Sequence, residues 1–307
     1  MTTLIATSVV RGSQQGDSHG GVYLVDFEAE KVRQTIDWNS GDIDFQGRGW
    51  DRGLRGVEFD GGDIYIAASD ELFVYDQTFN RKASYCNRYL KHAHEIHRHG
   101  RELYVTSTGF NSILVFDLDS KIFTSGLNLH AEDNALRLTP FDPGKSDGPL
   151  FRNQHHINSV WCDDSGLYLS GRSLKALLRY REGTLQPVCT LPAGVHNARP
   201  YRDGVLFNDT GSNAVRFAAE DADSAFPVPV YPEDQLMHHD LDTSAIARQG
   251  FGRGLCIVED GTIAAGSSPS TITLYDIDRR KALSRVTLTM DVRNAIHGLE
   301  VWPFEGS

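Results

Sequence analysis

Six short segments of this chain share one phase: a polar residue opens each, and a run that reads as a β-strand follows. They are RGVEFDGG from Arg55, HEIHRHG from His94, NSVWCDDSG from Asn158, NARPYRDG from Asn197, RGLCIVEDG from Arg253 and HGLEVWP from His297. In five of them an Asp- or Gly-bearing turn leads to a second strand rich in Val, Ile, Leu or Tyr. A third strand often ends near Asp, and a fourth, more polar one usually completes the group. Runs such as DIYIAAS, ELFVYD, SILVFDLD, GLYLSG and TITLYDID fill these places. No long stretch carries the 3.6-residue period of an amphipathic helix. The chain is all-β.

The sixth segment has no strands after it. Its partners stand at the other end of the chain, where TLIATSVV, GGVYLVDF and KVRQTIDW form three strands without an inner one. One arrangement explains both orphan ends. It is a six-bladed β-propeller, a single domain over 1–307, whose last blade is closed by the N-terminal strands plus the C-terminal inner strand. Such closure removes the sheet edges that would otherwise recruit other chains. The six segments start 39, 64, 39, 56 and 44 residues apart. A repeat averaging about 50 residues suits propeller blades. The irregularity is concentrated in the long connections 38–51, 130–154 and 233–252, each of which precedes an inner strand and is expected to rim one mouth of the central funnel.

Strand alternation sends every second side chain one way, so the shared phase is expected to bring Arg55, His94, Asn158, Asn197, Arg253 and His297 towards one axis. Arg55 and Arg253 offer forked donors for carboxylate, sulfate or phosphate. Asn158 and Asn197 can orient a ligand through amide donors and acceptors. His94 and His297 suit proton transfer or metal ligation. His92, His155, His156 and His196 lie one to three positions before members of the six. Three or more of His94, His156, His196 and His297 on one centre would suit Zn, Mn, Fe or Ni better than Ca. Other residues have plainer readings. His97 and His99 read as deeper hydrogen-bonding residues and Glu58 and Glu300 as partners of arginines between blades. His238 and His239 read as part of a solvated turn.

Composition narrows the partners. The formal net charge of −11 argues against nucleic acid or an anionic membrane as the main partner. No run of 18 apolar residues suggests a membrane helix. MTTLIATSVVRGS lacks the features of a signal peptide. Cys86, Cys162, Cys189 and Cys256 are scattered in apolar runs and form no CxxC pair, so they read as buried free thiols of a cytoplasmic protein. P-loop and dinucleotide fingerprints are absent, so no nucleotide cofactor is expected.

The pattern of a polar residue, Gly and an aliphatic, in Arg55-Gly56-Val57, Arg253-Gly254-Leu255 and His297-Gly298-Leu299, resembles the gluconolactonase, strictosidine-synthase and streptogramin-lyase group of propellers. The resemblance implies a site at the inner-strand starts, often built around a divalent cation. Where the gluconolactonase pattern has an acidic ligand in its first blade, this chain has Arg55, and a further position carries Arg253, which argues against a calcium lactonase. RNQHHINSVW and GFGRGLCIVEDG are similar to segments of uncharacterised bacterial propeller families. The expectation is a metal-assisted lyase, hydrolase or isomerase acting on a small anionic organic substrate. The alternative is a non-catalytic ligand-binding or protein-interaction propeller. The sequence leaves the oligomeric state open.

Overall fold

The structure, a computed structural model, describes residues 2–14, 16–39, 53–220, 223–242 and 246–304. Among them the strands form six antiparallel sheets, five of four strands and one of five, and the fold is a six-bladed β-propeller. Contacts within the chain cluster into two compact units, Gly56–Pro200 and Met1–Arg55 with Tyr201–Ser307.

In the unit Gly56–Pro200 the first blade runs Val57–Asp60, Asp63–Ala68, Glu71–Tyr75 and Arg81–Cys86. The third runs Ile157–Asp163, Gly166–Gly171, Ala176–Arg181 and Thr184–Thr190. The second follows the same order through Ile96–His99, Glu102–Ser107 and Ser112–Asp117. Its fourth strand, Ile122–Glu132, then turns back as a fifth, Ala135–Phe141. Part of the connection 130–154, expected as a loop, is therefore this hairpin, with Leu138 paired to Leu129 and both buried. Its alternation of apolar and polar residues is that of a half-buried sheet, which a search for four-strand groups passes over.

In the other unit the fifth blade runs Leu255–Glu259, Thr262–Ser267, Thr271–Asp276 and Lys281–Thr287. The sixth is closed as expected: Thr3–Val10 pairs with Gly21–Asp26 on one side and Asn294–Val301 on the other, in a register of Leu4 to Val301 and Val10 to Asn294. A bulge falls between Thr7 and Ser8. There the Thr7 hydroxyl accepts the Gly298 N–H at 2.8 Å and donates to the Arg55 carbonyl.

The glycine of the recurring motif has a packing cause. A Cβ on Gly298 would collide with the Arg55 carbonyl oxygen, and one on Gly56 would lie 2.6 Å from the Ile96 nitrogen and 3.0 Å from the Glu95 Cα. The backbone approaches too closely there for any side chain. Aliphatic and aromatic residues fill the layers on either side. One cluster joins Tyr65, Leu72, Leu90, Leu103, Leu114 and Phe116 in the first unit, and another joins Leu4, Val25, Ala264, Ile272 and Ile296 in the second.

The aspartates at the ends of third strands tie the turns that follow. Asp76 accepts the N–H groups of Thr78 and Asn80, and Asp117 those of Asp119 and Ser120. The side chain and backbone of Asn80, with Thr78, hold the Asp76 carboxyl down at about 2. All four cysteines are free, as expected. Cys162 and Cys256 are buried, whereas Cys86 is exposed on an outer strand whose solvent face alternates with its packed one. No helix among the described residues is long and apolar enough to cross a membrane.

Candidate functional site

The histidine-rich inner-strand starts are in the unit Gly56–Pro200. Thr106, fully buried on the neighbouring strand, fixes the first of them. Its hydroxyl oxygen accepts the backbone N–H of His94 at 2.9 Å and of Glu95 at 3.0 Å, and its own N–H donates to the Glu95 carbonyl at 3.1 Å. The His94 ring then stands 5.2 Å from the His156 ring and 6.5 Å from the His196 ring, centroid to centroid.

Each of the three rings is tethered through Nδ1. That of His94 lies 2.7 Å from the His92 carbonyl and 3.0 Å from the Thr108 hydroxyl. A carbonyl can only accept, and the Thr108 proton goes to the Ile157 carbonyl at 2.5 Å. The His94 Nδ1 therefore carries the proton. The same logic places a proton on His196 Nδ1, 3.0 Å from the Gly194 carbonyl. His156 Nδ1 meets the Asn153 side-chain oxygen at 3.1 Å. In the neutral form all three rings then hold their lone pair on Nε2.

Behind His94 is a carboxylate that the sequence reading passed over. Glu95 is buried and accepts from Asn197 Nδ2 at 3.1 Å, from the Val160 N–H at 3.2 Å and from Arg199 Nη2 at 3.4 Å. Burial pushes the Glu95 carboxyl above its usual range, against the opposing pull of Arg199, Asn197 and the Val160 N–H. Arg199 also lies over the Trp161 ring at 4.9 Å, and His97 stacks on that ring at 3.9 Å. His97 Nε2 donates to the Cys162 carbonyl at 3.0 Å while Nδ1 faces Glu58 at 3.0 Å. Glu58 thus pairs with a histidine where an arginine was expected. His97 has the interior hydrogen-bonding role expected of it.

Asn158 and Asn197 reach the site level, but their amides are engaged. Asn158, 1% exposed, donates to the Val195 carbonyl at 2.9 Å and accepts the Ser159 hydroxyl at 3.2 Å. The amide therefore stitches one inner-strand start to the next. His155 is set by its N–H, which donates to Asn111 at 2.9 Å, and burial lowers its imidazole below the ordinary range. A cavity of about 470 Å³, bounded by Asn128, His130, Arg152 and Gln154 among others, holds none of the six phased residues.

Arg55, Arg253 and His297 belong to the other unit. Arg55 is 2% exposed, with its backbone oxygen on Thr7. His297 is also buried, and Arg253 is partly buried with its guanidinium over the Phe251 ring at 4.3 Å. His238 pairs with Asp291 at 3.1 Å and His239 with Glu233 at 3.1 Å, both partly or wholly in solvent. Most of the connection 38–51 lies outside the described residues.

The transition-metal expectation can be set against this geometry. Two imidazoles on one tetrahedral zinc place their ring centroids about 5 Å apart. His94 and His156 meet that spacing at 5.2 Å, and His196 at 6.5 Å does not. Among the described residues no group of three or more His, Cys, Asp or Glu side chains is placed to hold a metal ion.

No protein-family model matches the chain, and no curated protein matches it significantly in sequence. Solved structures do match. A nidogen/laminin complex aligns with a TM-score of 0.59 at 10% identity, over 97% of each chain. A protein of unknown function from Bacteroides caccae aligns with a TM-score of 0.59 at 8% identity, over 97% of this chain and 98% of that one. The likeness is one of fold. The matches also include a catalytically inactive virginiamycin B lyase from Staphylococcus aureus with quinupristin, at 12% identity over 86% of this chain and 77% of that one, with a TM-score of 0.47.

Proposed function

We propose that this protein is an enzyme that moves a proton on a small anionic organic substrate, in a lyase, hydrolase or isomerase reaction, with His94 as the central acid–base group. One observation carries the reading: two imidazoles, those of His156 and His196, stand within 6.5 Å of the His94 ring, and each of the three rings is held through Nδ1 by an oxygen acceptor. A ring so tethered offers Nε2 as the base. When Nε2 takes a proton, the charge that develops is stabilised through the Nδ1–H bond to a fixed carbonyl. His156 or His196 then supplies or receives the second proton that elimination, hydrolysis or isomerisation requires. The reading routes no step through a metal.

The test uses substrates with a removable proton. Wild-type protein is incubated in D₂O with a panel of small hydroxy- and keto-carboxylates, lactones and phosphate esters, and exchange or turnover is followed by proton NMR. His94→Gln is expected to lower the active rate by about 10²- to 10⁴-fold with an unchanged melting temperature. A full panel without exchange or turnover overturns the reading, as does equal activity in His94→Gln. Stoichiometric zinc, manganese, iron or nickel in the purified protein, released by His94→Gln, would restore the metal-assisted alternative.

A second reading is a non-catalytic binding or interaction propeller. It is favoured by Leu150 and Phe151, which are 67% and 56% exposed in the connection before the third blade. The Phe151 ring stands 5.6 Å from Phe110 and 5.9 Å from His92. Exposed apolar side chains of this kind serve as anchors for a partner surface.

A further inference from the structure

The cavity of about 470 Å³ beside the hairpin of the second blade is walled by three segments of the unit Gly56–Pro200. They are the turn that carries Phe110 and Asn111, the strand residues 128–131 and the connection 148–154. Hydrogen bonds stitch the three together. The Leu129 N–H donates to the Asn111 carbonyl at 2.8 Å, and Asn128 Nδ2 donates to the Phe110 carbonyl at 2.8 Å. The Gly109 carbonyl accepts the N–H groups of Arg152 at 3.0 Å and of Asn153 at 3.1 Å. Phe151 stands edge to face on Phe110 and closes over Gly109, where a Cβ would lie 2.5 Å from its ring. Walls held in this way keep their shape before a ligand arrives.

The polar groups of the cavity have capacity to spare. Arg152 and Gln154 are exposed, and among the described residues their side chains make no hydrogen bond or ion pair. They offer a forked cation and an amide donor. Asn128 spends its amide hydrogens on Phe110 and on Ser112 Oγ, at 3.1 Å, which leaves its Oδ1 to accept. His130 Nδ1 lies 3.4 Å from the Asn128 carbonyl, an acceptor only, so Nδ1 carries the proton and Nε2 is left to accept. Phe110, Leu129, Pro149 and Leu150 supply apolar wall, and among the described residues no carboxylate bounds the cavity. The surroundings carry the same sign, although the chain's net charge is −11. At the end of this unit where inner strands begin, Arg88, Arg172 and Lys175 are also exposed cations without an ion pair among the described residues. The carboxylates there without a hydrogen bond or ion pair are Asp133 and Asp147, and neither bounds the cavity. An excess of positive charge around a cleft concentrates anions in it.

We infer that this cavity binds a small hydroxy-carboxylate with an apolar body, its carboxylate on Arg152 and Gln154 and its hydroxyl between His130 Nε2 and Asn128 Oδ1. A guanidinium takes a carboxylate through paired, charge-assisted hydrogen bonds. A neutral ligand would leave Arg152 without a counter-charge, and a dianion would need a second cation in the wall. The two acceptors call for a donor on the ligand, which a hydroxyl supplies. Small-molecule sites combine apolar wall with a few polar groups in this way, at volumes of about 300–1,000 Å³. The cavity includes none of His94, His156 and His196, so the inference goes beyond the acid–base assignment and is tested without turnover.

Phenyllactate, hydrocinnamate, phenylpropanol and lactate are titrated into the full chain by calorimetry at constant ionic strength. Phenyllactate is expected to bind at least tenfold more tightly than phenylpropanol, which lacks the carboxylate, and than lactate, which lacks the ring. It should also bind more tightly than hydrocinnamate, which lacks the hydroxyl, by about threefold to tenfold. Arg152→Gln is expected to weaken phenyllactate about tenfold with an unchanged melting temperature, and Arg152→Lys to keep part of the binding. His130→Phe should remove most of the preference over hydrocinnamate. Arg181→Gln, at the other end of the third blade, should change nothing. Wild-type protein that binds phenyllactate no better than phenylpropanol or lactate overturns the inference, as does unchanged binding in Arg152→Gln. Binding lost in His94→Gln and kept in Arg152→Gln would move the ligand to the histidine site and overturn it too. A failure of the turnover test leaves these results intact, so the two outcomes are separable.

Discussion

Glu95→Leu is expected to destabilise the fold by about 3–5 kcal/mol, the cost of removing one partner of a buried charged network. The substitution leaves the Asn197 amide, the Val160 N–H and the Arg199 guanidinium facing an apolar side chain where a carboxylate accepted from all three. Glu95→Gln keeps an acceptor of the same length and should cost less than half as much. The pH dependence follows from the raised Glu95 carboxyl. Between the ordinary glutamate range and that raised value the folded state holds more protons than the unfolded one, so stability falls as pH rises through this window. The contribution is fully present below about 4.5, the ordinary value. Urea unfolding midpoints from pH 4 to 8 check both parts: Glu95→Gln should flatten this component, and a neutral Glu95→Leu would contradict the network.

Gly298→Ala is the second large effect, with an expected loss of about 3 kcal/mol or more. The added methyl has nowhere to go, because the Arg55 carbonyl and the Thr7 hydroxyl, 2.6 Å away, already occupy its place. The substitution strikes the strand Asn294–Val301, which closes the last blade against Thr3–Val10. Gly56→Ala should behave in the same way in the other unit. Gly61, whose Cβ would meet nothing within 4 Å, gives the control, and its substitution should cost only the strain of a positive φ. Thermal melts would separate the cases, with Gly298→Ala lower by roughly 5–10 °C and Gly61→Ala by a fraction of that.

These two residues show what the sequence made legible and what it did not. Gly298 stands in a motif repeated in three blades, so its importance is visible in the sequence, where the motif points to a ligand site. Its glycine answers to backbone packing. Glu95 follows a phased histidine and carries no periodic signal. A strand pattern gives the face of a side chain, and the partners on other blades decide whether a buried carboxylate is supported. Asn197 and Arg199 alternate along one strand, and with Glu95 at the matching place of another they hint at the network only after the blades are aligned.

The blade count, the inner strands and the closure of the sixth blade were all open to reading, because each rests on period-two alternation and on an orphan strand at either end. The fifth strand of the second blade was not, since it departs from the repeat. The histidines were found by position, but their tethers were not. His92, Gly194 and Asn153 fix the three rings through a backbone carbonyl or a side chain close in the chain, and such local geometry depends on positive φ angles at His92, Gly194 and Asn153. The arginines around Phe251 come from segments far apart in the chain, and only the fold joins Arg11 to Arg248 and Arg253.

The central claim is that His94, His156 and His196 are held through protonated Nδ1 atoms, with Nε2 left as the base. Long-range ¹H–¹⁵N correlation of the imidazole rings at pH 8, assigned with single His→Gln variants, measures this without any substrate. The account predicts three neutral rings protonated on Nδ1, the less common tautomer in solution. Rings protonated on Nε2, or freely averaging between the two forms, would contradict it.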